Sequence, residues 1–276
     1  VMTNNILIGA DPELFVKQGG IFRSAYGLIN GDKHHPEPVP EGAIQIDGMA
    51  LEFNVDPCAN GDELVHRVRS VLDTLRERVK GYDLSITPVA VFEKSHFDEQ
   101  PEKARELGCD PDFNAWTGAE NPRPDNTTTM RTAGGHVHVG WRSPKDIIDA
   151  EHTGMAYALV RELDFHLGLP SLVYDKESER RAMYGKAGAC RIKNYGVEYR
   201  SLSNKWISED GLIRWVDRAT RNAVAAVQSG KFLVNTYGDI QNIINNSRVN
   251  EAKRIIKDAK LDCDFGNAVG SQRHAA

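Results

Sequence analysis

The segment GGHVHVGW, residues 134–141, places two histidines two positions apart between valines and glycines. In a β-strand, residues two apart point to the same face, so His136 and His138 would share one face and Val137 and Val139 the other. Two imidazoles on one face can ligate a metal ion. The alternative is a core strand with two satisfied histidines. A reactive pair needs partners and a structural pair does not, so the rest of the chain must decide.

Three further segments alternate in the same way between an apolar face and a face with titratable or polar groups: IGADPELFV with Asp11 and Glu13, IQIDGMALEFNV with Glu52 and Asn54, and YGVEYRSLS with Glu198 and Arg200. Alternation alone is typical of any half-exposed sheet. A merely wetted face, however, would favour Thr, Lys, Ser and Gln over paired Asp, Glu, His and Arg. Gathered in one sheet, the four polar faces would line a single polar concavity.

Convergent carboxylates without cations would repel one another and raise their pKa values. A bound divalent cation removes that penalty. Hard oxygen ligands with an occasional imidazole suit Mg²⁺ or Mn²⁺ better than a thiolate-preferring metal. The residue types therefore predict a magnesium or manganese site on the polar face of the sheet.

The elements that must position these side chains are strands and amphipathic helices. Hydrophobic periodicity predicts helices at 60–79, 143–168, 208–230, 239–246 and 248–260, and strands at 6–16, 43–55, 84–92, 134–141 and 195–203. Because strands and helices do not alternate one for one, we expect an α+β fold with a largely antiparallel sheet and helices packed on one face. The long polar connection 97–131 is predicted to be a functional loop.

Composition narrows the class of protein. The 276 residues are 40% hydrophobic and 26% charged, as in a soluble globular protein. A formal net charge of −5 gives no electrostatic reason to bind nucleic acid or an anionic membrane. The four cysteines form no CxxC pair, and we expect neither a signal peptide nor a membrane span. These features predict an intracellular, cytoplasmic protein in a reducing compartment.

Four motifs in order resemble a known superfamily: GADPELF (9–15), DGMALEFNVDP (47–57), GGHVHVGW (134–141) and GACRIKNYGVEYRSLSN (188–204). Over about residues 6–206 the chain is similar to the carboxylate–amine ligases related to glutamate–cysteine ligase and glutamine synthetase. Within them it looks most like the phage-type COOH–NH2 ligases, for which GCDPDFNAWTG (108–118) is also suggestive. The chain lacks the Walker pattern GxxxxGK[ST], which is compatible with this superfamily.

The resemblance implies a fold and a reaction. The fold would be a curved, mostly antiparallel sheet that carries the active site on its concave face, in a single glutamine-synthetase/glutamate–cysteine-ligase-like catalytic domain over 1–262. Apart from the resemblance, the length and polarity of the loop 97–131 predict a lid over the substrate, and 263–276 is predicted to form a loose tail. The reaction would join a carboxylate to an amine through an acyl phosphate, with ATP and Mg²⁺ as cofactors and Mn²⁺ as a substitute. If the chain is phage-encoded, the compartment is the host cytoplasm.

The resemblance also assigns roles to individual residues. By position, the metal ligands would be Glu13, Glu52 and Glu198, with Asp11 as a ligand or outer-shell partner and His136 or His138 at the metal or nucleotide, His136 being favoured. Arg200 would contact the transferred phosphoryl group, and Arg191 would be a second cation. Asp47 would lie opposite Glu52 under strict alternation, unless a bulge at Gly48 corrected its direction.

Several alternatives stay open. The chain could instead be a metal-dependent hydrolase, because HxH with carboxylates also describes metallohydrolases, or a non-enzymatic binding protein on the same fold. The carboxylate and amine substrates are unknown: a free amino acid, a polyamine, a protein side chain and an aminated nucleobase all fit, and the oligomeric state is open. Arg180 and Arg181 would face phosphate or lie on a solvated helix face, and Cys190 is predicted to be a buried thiol.

Overall fold

A computed structural model describes residues 2, 5–107, 111–124 and 128–266. The strands are β1 Leu7–Gln18, β2 Ile21–Arg23, β3 Glu37–Val39, β4 Gly42–Asp47, β5 Ala50–Val55, β6 Asp83–Ser85, β7 Val89–Val91, β8 Phe113–Asn114, β9 Met130–Thr132, β10 Gly135–Gly140, β11 Ala189–Lys193 and β12 Gly196–Tyr199. The α-helices are α1 Gly61–Arg78, α2 Lys94–Asp98, α3 Glu102–Arg105, α4 Ala150–Leu163, α5 Leu169–Tyr174, α6 Glu179–Met183, α7 Asp210–Ser229, α8 Val234–Tyr237, α9 Gln241–Asn245 and α10 Val249–Asp258. A π-helical segment, Asp164–Gly168, joins α4 to α5, and a 3₁₀ helix covers Asn204–Ser208.

One large antiparallel sheet organises the molecule, as the strand patterns predict. Its order is β3-β4-β5-β1-β10-β12-β11-β8, with β2 and β6 also paired to the long strand β1. Pairs between these strands are antiparallel throughout the described ranges. The short strands β7 and β9 form a separate antiparallel pair. The four strands that carry the predicted site lie side by side as β5-β1-β10-β12.

The apolar face of the sheet supports the core. Ala10, Leu51, Val137 and Val197, one from each of these four strands, belong to one buried cluster with residues of α1, α4 and α7. Helix α1 begins where Asn60 accepts a hydrogen bond from the Glu63 N–H at 3.0 Å, which is a favoured N-cap. The prediction of helices packed on one face thus holds for the three longest helices. Two short helices, α2 and α3, instead supply residues to a second cluster with Phe15, on the strand face opposite to Ala10.

Two segments that were predicted to be single strands each contain two strands in the structure. The segment 43–55 turns at Gly48, whose φ of +57° favours glycine, so β4 and β5 pair with each other from Gly42↔Val55 to Asp47↔Ala50. The Asp-Gly dipeptide in the sequence is a known hairpin signal. The segment 84–92 breaks into β6 and β7 around Pro88, because proline has no N–H for a continuous ladder. Strand β11, which forms a hairpin with β12, was not predicted.

Two of the predicted helices have different bounds in the structure, and the reasons are a cap and a proline. The helix predicted at 143–168 begins only at Ala150, because the Asp149 side chain accepts from the His152 N–H at 2.8 Å. Pro170 does not end it, since the chain passes through the π-helical segment and proline falls in the first turn of α5, where a missing N–H is tolerated. The helix predicted at 208–230 is α7, whose N-cap position is Glu209 without a side-chain bond. The helices predicted at 60–79, 239–246 and 248–260 correspond to α1, α9 and α10.

The connection 97–131 contains α3 and β8 as well as irregular chain. Residues 108–110 and 125–127, including Asp110 of the predicted lid, lie outside the described residues, as does most of the predicted tail, from 267 onward. The domain bounds stay a prediction. None of the helices in the described part of the chain combines the length and apolar character that crossing a bilayer requires.

Candidate active site

A polar cavity of about 270 Å³ lies on the face of the sheet opposite the core. Antiparallel register explains why the predicted residues meet there. Asp11 pairs with His136, and Glu13 pairs with Glu52, so three strands present acidic or imidazole side chains at one level. All of the predicted site residues except His138 line this cavity: Asp11, Glu13, Glu52, His136, Arg191, Glu198 and Arg200.

The first group, which we call the histidine triad, is Asp11, His136 and Glu198. Its potential ligand atoms all lie within 4.8 Å of one another. His136 Nδ1 is 3.1 Å from Asp11 Oδ1 and 3.6 Å from Glu198 Oε1. The flanking glycine is needed here, because a Cβ at Gly134 would lie 2.3 Å from His136 Nε2. The triad therefore has the donor types and spacing of a metal site.

The second group, which we call the carboxylate triad, is Glu13, Asp47 and Glu52, whose oxygens also lie within 4.8 Å of one another. Asp47 joins it because 43–55 is a hairpin, not a single strand with a bulge. Gln45 lies directly opposite Glu52, so Gln45 and Asp47, two apart on β4, share the face of Glu52. The Gln45 amide donates to Glu52 Oε2 at 2.9 Å, and the Gly134 N–H donates to Glu13 Oε2 at 2.7 Å.

The pKa values of the acidic residues differ between the two triads. Burial alone would raise the pKa of Asp11, but the His138 and His136 imidazoles lower it well below its usual range. Burial and Asp11 would raise the pKa of Glu198, yet Arg200 and the histidines hold it at about 2. In the carboxylate triad, burial and the neighbouring Asp47 raise the pKa of Glu13 to about 7. Burial and nearby carboxylates raise the pKa of Glu52 well above its usual value.

Three cations surround Glu198, a carboxylate with 1% side-chain exposure. Arg200 Nη1 donates to Glu198 Oε1, Lys193 Nζ lies 2.9 Å from Oε2, and Arg191 Nη1 lies 3.7 Å from Oε1. Arg200 also reaches Asp112 Oδ2 through Nε at 3.3 Å. Three cations here balance three carboxylates, Glu198, Asp11 and Asp112, so a phosphoryl group or a substrate carboxylate can replace one of these acids as an ion-pair partner.

The two histidines of GGHVHVGW have different surroundings. Burial and Arg200 lower the pKa of His136 to about 4, so it is neutral at pH 7 and able to act as a ligand. His138 Nε2 lies 3.1 Å from Asp11 Oδ2, and its Nδ1 lies 2.5 Å from the Tyr195 hydroxyl. Burial opposes the charged imidazole, but Asp11 raises the pKa of His138 overall. His136 belongs to the triad, whereas His138 lines a second cavity.

That second cavity, of about 720 Å³, is lined largely by apolar and aromatic groups. They include Leu7, Val55, Trp141 and Tyr195. It meets the polar cavity at three shared residues: Asp11, Gln45 and Glu52. The two cavities are therefore adjacent, and we call them together the cleft: one end suits a flat apolar ring and the other end suits charged groups.

Several cavity residues differ from the sequence interpretation. Arg180 and Arg181 are not on a solvated face, since they are 2% and 4% exposed. Arg180 lines the polar cavity and donates to the Ser201 carbonyl at 2.9 Å, while Arg181 donates to the Glu177 carbonyl. Cys190 is a buried thiol, as predicted, and burial raises its pKa.

Part of the predicted loop also reaches the cavity. Pro111, Asp112 and residues 121–124 line it. Arg131, at the end of the loop, is 5% exposed and is bonded to the carbonyls of Thr128, Met130 and Arg105. Asp112 belongs to the loop that the sequence predicts to close over a substrate, whereas sequence reasoning missed Lys193 and Tyr195. The position of Lys193, two residues from Arg191 in a strand, was the one usable signal.

The donor set fits divalent magnesium or manganese. Of the six residues in the two triads, five offer carboxylates and one an imidazole, which is the hard-ligand composition that these ions prefer. The raised pKa values of Glu13, Asp47 and Glu52 reflect carboxylates held in a buried site near one another. A cation between them would stabilise the ionised forms.

Comparison with known proteins supports a ligase. Residues 129–220 match the model of the family described as phage phiEco32-like COOH.NH2 ligase-type 2, which confirms the predicted resemblance. The matched segment includes His136, Arg191, Glu198 and Arg200. The class of enzyme that the match supports is therefore a carboxylate–amine ligase.

One similar solved structure is a bifunctional glutathione synthetase from Pasteurella multocida, with a TM-score of 0.42 and 10% identity. The alignment covers 97% of this chain and 51% of that one, so the chain spans about half the length of that structure. No curated protein matches the chain.

Proposed function

We propose that the protein is an ATP- and Mg²⁺-dependent ligase that joins a carboxylate to an amine through an acyl phosphate, on a glutamine-synthetase/glutamate–cysteine-ligase-like sheet. The observation that carries the proposal is the pair of triads in one cavity, with Arg200 and Arg191 at the histidine-triad end. Phosphoryl transfer needs positioned cations around a charged transition state and little covalent chemistry from the protein.

Asp11, His136 and Glu198 would hold one Mg²⁺ ion, and Glu13, Asp47 and Glu52 a second. Bound Mg²⁺ neutralises phosphate charge during phosphoryl transfer. The chain's own contribution is to keep His136 neutral and Glu198 ionised at pH 7, as their pKa values of about 4 and about 2 indicate. A zinc hydrolase is less well supported, because zinc sites favour nitrogen and sulfur ligands and only one of the six triad residues is a histidine.

The two ends of the cleft suit the two ends of ATP. The apolar cavity, with Trp141 and Tyr195, has the size and lining for a nucleoside. The triphosphate would pass the boundary residues Asp11 and Glu52 into the polar cavity, with its γ-phosphate near Arg200. The acid would bind beyond it, where Arg180 and Lys186 also line the wall.

The reaction follows from this placement. A substrate carboxylate oxygen attacks the γ-phosphorus, the bond from that phosphorus to the β–γ bridging oxygen breaks, and ADP leaves. The amine nitrogen then attacks the acyl carbon, the bond from that carbon to the phosphoryl oxygen breaks, and inorganic phosphate leaves with the loss of one amine proton to solvent. Arg200 and Arg191 would stabilise the transferred negative charge in the first step.

The test is a screen for ADP release over carboxylic acids, first with hydroxylamine as a general nucleophile and then with a panel of amines. We expect ADP formation to require one particular acid, a hydroxamate to appear with hydroxylamine, and mass spectrometry to identify an amide with the natural amine. Arg248→Ala, in an exposed ion pair with Glu251, is the control variant and should behave as wild type. Acid-independent hydrolysis of amides without ATP would overturn the proposal, and so would intact turnover in Glu52→Gln.

A further inference from the structure

A buried carboxylate outside the cavity bonds to two segments that carry cavity residues. Asp164 is fully buried and lies at the start of the π-helical segment between α4 and α5. Its Oδ1 accepts a hydrogen bond from the Tyr199 hydroxyl at 2.7 Å, and its Oδ2 accepts one from Trp116 Nε1 at 2.7 Å. Neither donor belongs to the helix, so Asp164 joins three separate parts of the chain.

The Tyr199 contact leads to the histidine triad. Tyr199 is fully buried on β12, between Glu198 and Arg200 in sequence, and its side chain points to the core while theirs point to the cavity. A displacement of the Tyr199 side chain would shift the backbone that carries both neighbours. Because the Arg200 N–H bonds to the Ala189 carbonyl at 2.8 Å, the shift would extend to β11.

The Trp116 contact leads to the edge of the sheet at β8, beside β11, which in turn pairs with β12. Trp116 follows β8, and four residues earlier Asp112 lines the polar cavity and bonds to Arg200 Nε. The Ala115 N–H also bonds to the Gly188 carbonyl at 2.9 Å, which fixes this segment on the sheet. Both hydrogen bonds of Asp164 therefore lead to Arg200, one through its sequence neighbour Tyr199 and one through the segment that carries its partner Asp112.

The packing around Asp164 leaves little room for adjustment. A Cβ at Gly168 would lie 3.0 Å from the Tyr199 hydroxyl and 2.9 Å from the Ile244 side chain. A Cβ at Gly188, whose φ is +77°, would lie 2.6 Å from the Trp116 ring. Insertions of the π type inside α-helices occur often at functional sites. Here the insertion begins at the carboxylate that the tyrosine and tryptophan share.

We propose that Asp164 is a positioning residue for the active site, which sets Glu198 and Arg200 through Tyr199 and sets Asp112 through Trp116. The inference rests on the proposed function, because it concerns a metal ligand and a phosphate-binding arginine of that site. Asp164 itself does not line either cavity among the described residues, so it acts only through these two side chains.

The chain offers a matched control in Glu162, two residues away at the end of α4. It is equally buried, and burial raises the pKa of both carboxyls to about 7. Its Oε1, however, accepts from the Leu233 N–H at 2.8 Å, on a part of the chain that does not line the polar cavity. A purely structural role would make the two carboxylates equivalent, whereas a positioning role would not.

The experiment measures Mn²⁺ affinity of the full chain by electron paramagnetic resonance, with thermal unfolding recorded in parallel. We expect Asp164→Asn to weaken Mn²⁺ binding at the histidine triad, the weaker of the two binding steps, about tenfold, which is the size of effect that outer-shell changes have on metal sites. Glu162→Gln should bind Mn²⁺ as the wild type does, although the unfolding temperature should fall in both variants. Equal Mn²⁺ affinity in Asp164→Asn and wild type would overturn the inference.

Tyr199→Phe removes one hydroxyl and leaves the ring in the core, which keeps the test valid if Asp164→Asn does not fold. It should also weaken Mn²⁺ binding. In the double variant the two effects should not add, because both substitutions remove the same hydrogen bond between Tyr199 and Asp164. Full additivity would contradict the proposed route through Tyr199. A wild-type protein that binds no Mn²⁺ would overturn the proposed metal site itself and this inference with it; wild-type binding with unaffected variants would overturn the inference alone.

Discussion

The two triads of the cavity lie on neighbouring strands but differ in how their charge is balanced. In the histidine triad, Arg200, Lys193 and Arg191 surround Glu198, and the pKa values of Asp11 and Glu198 are lowered. In the carboxylate triad, Glu52 has the neutral amide of Gln45 as its partner, and the pKa values of all three acids are raised. The first triad is stable without a metal ion, whereas the second requires a bound cation or protons.

The difference in charge balance suggests that the two triads have different roles in the proposed reaction. A triad with built-in cations can exchange ion pairs with an incoming phosphoryl group, since Arg200 is already directed into the cavity. A triad whose charge is unbalanced gains most from Mg²⁺ and therefore should hold it more tightly. The predictions below test this contrast.

The largest expected effect is a difference in the free energy of unfolding between Glu198→Gln and Glu52→Gln in the metal-free protein. Glu198→Gln leaves three cations without their shared partner, and breaking a buried pair on one side costs about 3–5 kcal/mol. Glu52→Gln removes a repelled, buried carboxylate, so the free energy of unfolding should stay constant or rise. Urea unfolding in chelator measures both. Equal destabilisation in the two variants would mean that the triads do not differ in charge balance.

The next effect concerns catalysis at the histidine triad. Arg200→Ala should lower kcat by about 10²–10³-fold, the usual loss when a positioned charge-stabilising donor is removed. Mn²⁺ at the carboxylate triad should still bind, because Arg200 forms no bond with Glu13, Asp47 or Glu52 among the described contacts. Steady-state ADP release and Mn²⁺ titration separate the two results. A variant with wild-type kcat would remove Arg200 from the phosphoryl site.

Sequence reasoning could find this site because its strands alternate, and alternation is a local property. Asp11, Glu13, His136, Glu198 and Arg200 all point to the face that period two predicts. Register was not predictable from alternation, and it is register that places Glu13 opposite Glu52. Asp47 was misjudged because 43–55 was taken as a single alternating strand, although Asp-Gly is a turn signal.

The remaining parts of the site depend on long-range packing. Arg180 is buried against the Ser201 carbonyl, and nothing in its own segment distinguishes it from the exposed face of a helix. Asp112 reaches Arg200 across 88 positions of sequence. The π-helical segment at Asp164 follows a helix whose periodicity shows no interruption. Such features are fixed by tertiary contacts, which override local propensity.

A pH titration gives a smaller and more specific contrast. A carboxyl with a raised folded pKa stabilises the protein below its unfolded pKa, and that stability is lost as pH rises through the folded pKa. Between about pH 5 and 7 the metal-free protein should lose stability, because the carboxyls of the unfolded chain are already ionised there while Glu13 keeps its proton up to a folded pKa of about 7. Tm should fall by roughly 2–4 °C for each kcal/mol lost, and the raised pKa of Glu52 adds to the slope in the same direction. Glu198, with its pKa lowered to about 2, stays ionised across this window and adds no slope.

Saturating Mg²⁺ should flatten this pH dependence, and Glu52→Gln should flatten it without Mg²⁺. Asp164 and Glu162, whose pKa values are also raised to about 7, contribute a residual slope that neither change removes. Scanning calorimetry at fixed ionic strength gives the measurement. A slope that persists unchanged in both cases would place the titrating groups outside the carboxylate triad.

The smallest expected effect is at Gln45, the hydrogen-bond partner of Glu52 in the carboxylate triad. Gln45→Leu removes the one side-chain donor that Glu52 has among the described contacts, a neutral hydrogen bond worth about 1 kcal/mol, so Mn²⁺ affinity at the carboxylate triad should fall only about fivefold. Kcat at saturating Mn²⁺ should change little, because the bound ion then supplies the charge balance that Gln45 supplies weakly. A loss as large as that of Arg200→Ala would mean that the carboxylate triad depends on a preorganised protein partner after all, and the contrast between the two triads would then be wrong.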